Sequence, residues 1–298
     1  MTPMTPMTES NLAPNRATSP WRTRLWEFPL TRIAVALAFV ALPFAAVAIP
    51  LNLFVTDKSL KRLGALLLAA VVVLANCAYV RLIEKRRATE FSTVGAVREV
   101  AIGVLMGAVL FGLTIGTLAA VGAYHVTGSN GWQAMLPAAF IFLVAAVAEE
   151  VAIRAIVFRL LEAALGTWIA LALSAALFGL LHLGNPGATW LTTGAISIEA
   201  GVLLAAAYLV TRRLWLCIGI HFAWNFAQGG VFSVAVSGNG QKGWLQSALA
   251  GPDWLTGGSF GPEGSVVALL VCSAAGGLLL WVARRRGRIV HPGWKRRP

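Results

Sequence analysis

Eight predominantly apolar stretches, at about 33–55, 63–83, 100–124, 134–160, 167–183, 188–211, 214–233 and 265–283, follow one another, most with short connections and the last after a long one over 234–264. Most of them have the roughly 20 residues that a helix needs to cross a hydrocarbon core of about 30 Å. Composition agrees, because hydrophobic residues make up 58% of the chain and charged residues 12%, where a soluble domain carries roughly 25% charged residues. No soluble core absorbs that much apolar surface, so disorder over most of the length, a secreted disulfide scaffold and a nucleic-acid binder are poor readings. The pattern predicts an all-α fold, a polytopic membrane helix bundle of about eight transmembrane helices with the lipid bilayer as its solvent. Cys77, Cys217 and Cys272 all fall inside apolar runs without CxxC spacing, which supports neither a disulfide framework nor a cysteine metal site.

The net charge of +12 is distributed as membrane topology signals are. Basic residues gather at Arg16, Arg22, Arg24 and Arg32, at Lys85, Arg86, Arg87 and Arg98, at Arg159, at Arg212 and Arg213, and from Arg284 through Arg288 to Lys295, Arg296 and Arg297. The alternate connections near 125–131 and 184–187 hold no Lys or Arg, and 234–264 holds only Lys242 against Asp253 and Glu263. Both termini are therefore expected in the cytoplasm, with the chain in the cell (plasma) membrane. Lys58, Lys61 and Arg62 run against the pattern and leave the first hairpin loosely placed. The expected organisation is a disordered cytoplasmic tail over 1–32, N-terminal transmembrane helices over 33–126, a core over 130–230, an outer loop over 231–264, and a last transmembrane helix with a basic cytoplasmic tail over 265–298. The first apolar run is too long for a signal-peptide core, although Ala46-Val47-Ala48 resembles a cleavage site.

Ionisable side chains inside apolar helices cost roughly 2.5–3.5 kcal/mol each on insertion scales and are functional candidates for that reason. They are Glu149, Glu150 and Arg154 in the fourth run, His182 in the fifth, Glu199 in the sixth, and His221 with Asn225 in the seventh. Residues four apart share a helix face. Glu150 and Arg154 can thus neutralise each other, while Glu149 points elsewhere and keeps a free carboxylate. The same spacing puts Phe178 with His182, and His221 with Asn225, on common faces. If these stripes converge, the inventory suits peptide-bond hydrolysis, with a carboxylate as general base, an imidazole on the water or the leaving amine, and a His/Asn pair on the oxyanion. Glu149, His182 and His221 could instead hold a divalent metal such as Zn²⁺ with an open position for water, and the spacing alone does not choose between that and a metal-free site. No H-E-x-x-H and no G-x-S-x-G is present.

Glu149-Glu150-x-x-x-Arg154, Phe178-x-x-x-His182 and His221-x-x-x-Asn225, with Leu214 to Asn225 around the last, resemble the signature of the CAAX prenyl protease and bacteriocin-processing (Abi) family of intramembrane endopeptidases. The resemblance covers about residues 130–230. It implies Glu149 as general base, His182 as its partner on the water, and His221 with Asn225 as the oxyanion site, with Glu150, Arg154 and Phe178 in support. The family is often described as metal-dependent, while its eukaryotic-type relatives resemble glutamate-dependent proteases without an obligatory metal. The implied partner is a peptide or membrane-protein substrate with a hydrophobic or lipidated end, and no nucleic acid.

Plainer roles stand beside these. Glu150 and Arg154 suit a structural pair, Glu199 a packing hydrogen bond or a rim position, and Phe178, Phe222, Trp224 and Phe226 packing. Two other function classes use the same residues: a transporter lined by polar groups, and a non-catalytic immunity or regulatory protein. No inverted repeat supports the first, and three intact motifs weigh against the second. His221 lies eight residues past Arg213, about 12 Å along a helix, which predicts a site opening towards the cytoplasm or the inner leaflet, although His182, about 14 residues beyond Trp168, would lie deeper.

Overall fold

The computed structural model describes residues 28–292. Most of the expected tail over 1–32 lies outside the described residues, as do Lys295, Arg296 and Arg297. Helix α1 (Pro29–Phe54) opens on a proline, whose fixed φ suits a first helical turn. It starts within the segment expected to be tail. Helix α2 (Lys58–Leu82) is capped by Asp57, whose carboxylate accepts the Leu60 amide at 2.8 Å. Helix α3 (Ala96–Ala120) leads into strand β1 (Tyr124–Ser129). Helix α4 (135–165) is α-helical over Met135–Glu150, π-helical over Val151–Phe158 and α-helical again over Arg159–Leu165. Helix α5 (Thr167–Leu181) follows directly. Helix α6 (Trp190–Thr211) begins on a Thr189/Thr192 capping box and is π-helical over Ser197–Val202. Helix α7 (215–231) turns π-helical over Phe226–Val231. Strand β2 (Leu245–Leu249), the short α8 (Asp253–Thr256) and α9 (Val266–Arg285) complete the chain.

The chain is mainly helical, and a helix stands at each of the eight apolar runs. The count of about eight transmembrane helices is narrowed, because among the described residues five helices, α1, α2, α3, α6 and α9, are long and apolar enough to cross a membrane. The helices that carry Glu149, His182 and His221 are not among them. Helix α5 has 15 residues, about 22 Å at 1.5 Å per residue, and α4 carries Glu149, Glu150, Arg154, Arg159 and Glu162 along its length. The all-α expectation is corrected too. β1 and β2 pair antiparallel, with Tyr124 opposite Leu249 and Ser129 opposite Leu245 and a register shift between Val126 and Gly128. Two connections read as plain loops contain these strands, because pairing them satisfies backbone groups that neither connection satisfies alone.

Ion pairs gather the basic connections at one end of the bundle. Arg159 and Arg86 bond Glu84 at 2.8 and 2.7 Å, Arg86 bonds Glu90 at 2.6 Å, Arg213 bonds Glu99, and Arg212 bonds Glu162. At the opposite end the 182–189 and 232–264 connections interlock. A Cβ on Gly187 would meet Ser259 and one on Gly238 the Pro186 carbonyl, while the Gly238 amide donates to the Phe260 carbonyl at 2.7 Å.

Helices α3 and α7 run parallel in close backbone contact, which sets the position of His221. A Cβ on Gly103 would meet the Leu216 carbonyl at 2.5 Å, and one on Gly219 the Val100 carbonyl at 2.7 Å. A Cβ on Gly107 would collide with the Ile220 carbonyl. Gly103 and Gly107 thus form the small-residue spacing that lets membrane helices approach closely. Phe111 closes the seam, edge-on to Trp224 with ring centroids 5.1 Å apart. Leu42, Phe54, Leu105, Leu270 and Leu278 face outward on α1, α3 and α9, a surface suited to lipid and not to water.

Candidate active site

Glu149 and Glu150 end the first α-helical part of α4, and their 100° separation gives them different surroundings. Glu150 is fully buried. Its Oε1 accepts from Arg154 Nη1 at 2.9 Å and from His221 Nδ1 at 2.8 Å. A carboxylate only accepts, so His221 carries a proton on Nδ1. Arg154, equally buried, also donates to the Ala200 and Gly201 carbonyls at 2.9 and 3.3 Å and stacks 4.8 Å above the Phe178 ring. The π-helical stretch that starts at Val151 widens the helix where Arg154 must reach α6.

The Glu149 side chain is 37% exposed, and its Oε2 lies 3.8 Å from His221 Nε2. One imidazole therefore stands between two carboxylates, one buried and neutralised by arginine, the other open. His182 caps the C-terminus of α5 and its Nδ1 donates to the Phe178 carbonyl at 2.8 Å, which directs the ring and leaves Nε2 free to accept. Phe178 packs 4.8 Å from the His182 ring and edge-on, 6.4 Å, to His221. Asn225 sits one turn beyond His221, immediately before the π-helical end of α7.

Glu149, Phe178, His182, His221 and Asn225 all line one cavity of about 370 Å³. Glu150 and Arg154 stand behind its wall. The rest of the lining is largely apolar, including Ile141, Phe142, Leu203, Leu204, Ile220 and Trp224, and it adds polar residues that the motifs did not include: Asn185, Glu199, Ser237, Asn239, Gln241 and Glu263. Asn185 had a signal, since it lies three residues past His182. The others on 232–264 had none, because only the folding of that connection over the bundle brings them to the cavity. π-helical stretches adjoin Glu150, contain Glu199 and follow Asn225, and such irregularities recur at functional sites.

No lining residue comes from the basic end of the bundle. All the loop residues of the lining lie on 182–189 and 232–264, at the opposite end. The cavity thus lies towards the end away from Arg212 and Arg213, deeper than counting along α7 suggests. Depth counted along α7 alone ignores that α5 ends at His182 and delivers it to the far end.

The metal alternative meets a geometric difficulty. Among the described residues no group of three or more His, Cys, Asp or Glu is placed to hold a metal ion, the expected set of Glu149, His182 and His221 included. The Nδ1 bonds of His221 to Glu150 and of His182 to a backbone carbonyl leave Nε2 of both rings open and do not themselves bear on a metal.

Residues 130–227, about a third of the chain, match the family model described as Rce1-like, Type II CAAX prenyl endopeptidase Rce1-like. This is the family that the three motifs resemble. Comparison with curated proteins and with solved structures finds no match.

Proposed function

We propose, with the Rce1-like match over residues 130–227 as premise, that the protein is an intramembrane endopeptidase that hydrolyses a peptide bond with a glutamate-activated water. The observation that carries this reading is the meeting of Glu149, His182, His221 and Asn225, from three helices distant in sequence, on one cavity. Glu149, the open carboxylate, takes a proton from water as the oxygen attacks the scissile carbonyl. A positioned base of this kind contributes roughly 10²- to 10⁴-fold. His182 Nε2 accepts from the same water and holds it in line. The oxyanion takes hydrogen bonds from the Asn225 amide and from His221 Nε2–H, the doubly protonated ring keeping Nδ1 on Glu150. Glu149 then returns its proton to the leaving amine.

In this reading α4, α5 and α7 cross the bilayer with the other five helices, giving a bundle of about eight, and the basic end is cytoplasmic in the plasma membrane. The cavity then opens towards the external face. Its apolar lining suits a peptide or membrane-protein segment with a hydrophobic or lipidated end. Peptidomics of cells carrying the wild type against Glu149→Gln tests hydrolysis and names the substrate. Products that vanish with Glu149→Gln at equal protein abundance are expected, and identical peptide sets would remove the endopeptidase reading. Cysteines beside Asn239 and Gln241, probed with an impermeant thiol reagent, test the orientation. Labelling only from the cytoplasm would reverse it.

A further inference from the structure

Two carboxyl groups on the cavity have no part in the hydrolytic scheme. Glu199 stands in the π-helical stretch of α6, 3% exposed, and Glu263 in the turn Pro262–Gly264, 2% exposed. Both line the cavity that contains Glu149 and His182. The turn is seated on α6, because a Cβ on Gly264 would lie 2.9 Å from Thr192 Cγ2, and Thr192 is two turns before Glu199 on the same face. Glu263 is held in place, with Oε1 accepting from the Ser237 amide at 2.5 Å and its hydroxyl at 2.7 Å. Glu199 is not held this way, and its Oε2 is buried without a hydrogen-bond partner.

A buried carboxylate oxygen without a donor is costly, roughly 1–3 kcal/mol even for a neutral polar group and more for a charged one. Every other deeply buried carboxylate of the bundle has an arginine: Glu84, Glu90, Glu150 and Glu162 all do. Among the described residues no Lys or Arg pairs with Glu199 or Glu263. Burial pushes the Glu263 carboxyl above its ordinary range, against the opposing hydrogen bonds from Ser237 and Gln228 and the charge of His182. The pair therefore has no Lys or Arg partner, and Glu199 Oε2 lacks a donor as well, on the surface where a substrate would lie.

We propose that Glu199 and Glu263 form a recognition subsite for an organic cation of the peptide substrate, an ammonium or a guanidinium. A lysine ammonium brings three donors and a guanidinium five, which fits two carboxyls with an unused oxygen. The pair belongs to no group of three or more His, Cys, Asp or Glu placed for a metal ion. This inference rests on the endopeptidase reading for its substrate, a peptide. The cation selects which peptide is seated, and the bond is cut at Glu149.

The test uses full-length protein in nanodiscs and a set of fluorogenic apolar peptides. Each carries one lysine, acetyl-lysine or norleucine at successive positions, with the N-terminus free or acetylated. At one position the lysine peptide should exceed its norleucine and acetyl-lysine counterparts in kcat/KM by at least about tenfold, since a site with buried polar groups rejects analogues that leave them unpaired. A preference that follows the free N-terminus instead identifies the α-ammonium as the cation. In Glu199→Gln/Glu263→Gln the ratio should fall to about one, whatever the absolute rate. Binding of the same labelled peptides to the Glu149→Gln protein, read by anisotropy, gives the ratio without cleavage. A binding preference without turnover supports the subsite and sinks the endopeptidase reading. Equal binding of lysine and norleucine peptides together with equal binding of free and acetylated N-termini, an undiminished preference in the double variant, or its loss on chelation of divalent ions overturns the proposal.

Discussion

Replacing Glu150 with alanine separates the structural from the positioning role of the first motif. In the wild type Glu150 Oε1 serves both Arg154 and His221, at 2.9 and 2.8 Å, and both Glu150 and Arg154 have side chains at 0% exposure. Glu150→Ala leaves the guanidinium buried, with the Ala200 and Gly201 carbonyls and the Phe178 face as its remaining partners. Removal of one partner of a buried pair costs about 3–5 kcal/mol. Glu149→Ala removes a side chain that is 37% exposed and should change stability by less than about 1 kcal/mol. Glu150→Leu/Arg154→Met removes both charges, and such apolar replacements are neutral or stabilising in many proteins. It should recover most of the lost stability while His221 still lacks its acceptor and activity stays low. Equilibrium unfolding in detergent, with yield of folded protein, reads all three. If Glu150→Ala unfolds within about 1 kcal/mol of wild type, or if the double variant recovers cleavage along with stability, the assignment of Glu150 as the group that orients His221 is wrong.

Gly107→Leu should force α3 away from α7, because even a Cβ there collides with the Ile220 carbonyl; folded yield should fall sharply while Gly112→Leu, with nothing nearby, is tolerated. Asn225→Ala should lower kcat by about 10²- to 10³-fold with a small change in KM, the cost of one oxyanion donor. Acid should weaken the basic end. Burial alone would raise the Glu84 carboxyl, but hydrogen bonds and charge from Arg159 and Arg86 outweigh it and hold it below the usual range. A depressed carboxylate contributes stability that is present above its unfolded value of about 4.3 and lost as pH falls through its folded value. Unfolding against pH should show that acid limb, and Glu84→Gln should flatten it.

Helix positions were legible because apolar runs and their breaks are written in local composition. The expected 167–183 and 188–211 became Thr167–Leu181 and Trp190–Thr211. The i, i+4 arithmetic also anticipated the Glu150–Arg154 bond and the shared Phe178–His182 face. It did not show that His221 completes a three-residue cluster with Glu150, since contacts 71 residues apart follow from helix packing. The π-helical stretches escaped notice because hydropathy has no signature for an extra residue in a turn. The pairing of β1 with β2, and the return of Ser237, Asn239, Gln241 and Glu263 to the cavity, belong to a connection whose local sequence is polar and glycine-rich. Such a segment reads as a loop, and only its long-range partners give it a function.

The claim that Glu149 activates water for peptide hydrolysis meets its most direct test in ¹⁸O-labelled water. Purified wild type and Glu149→Gln are incubated with a peptide library, and new C-termini are read by mass spectrometry. The account predicts one ¹⁸O in each new carboxyl group with the wild type and no new termini with Glu149→Gln. Unlabelled new termini, or labelled ones formed by Glu149→Gln at the wild-type rate, would contradict it.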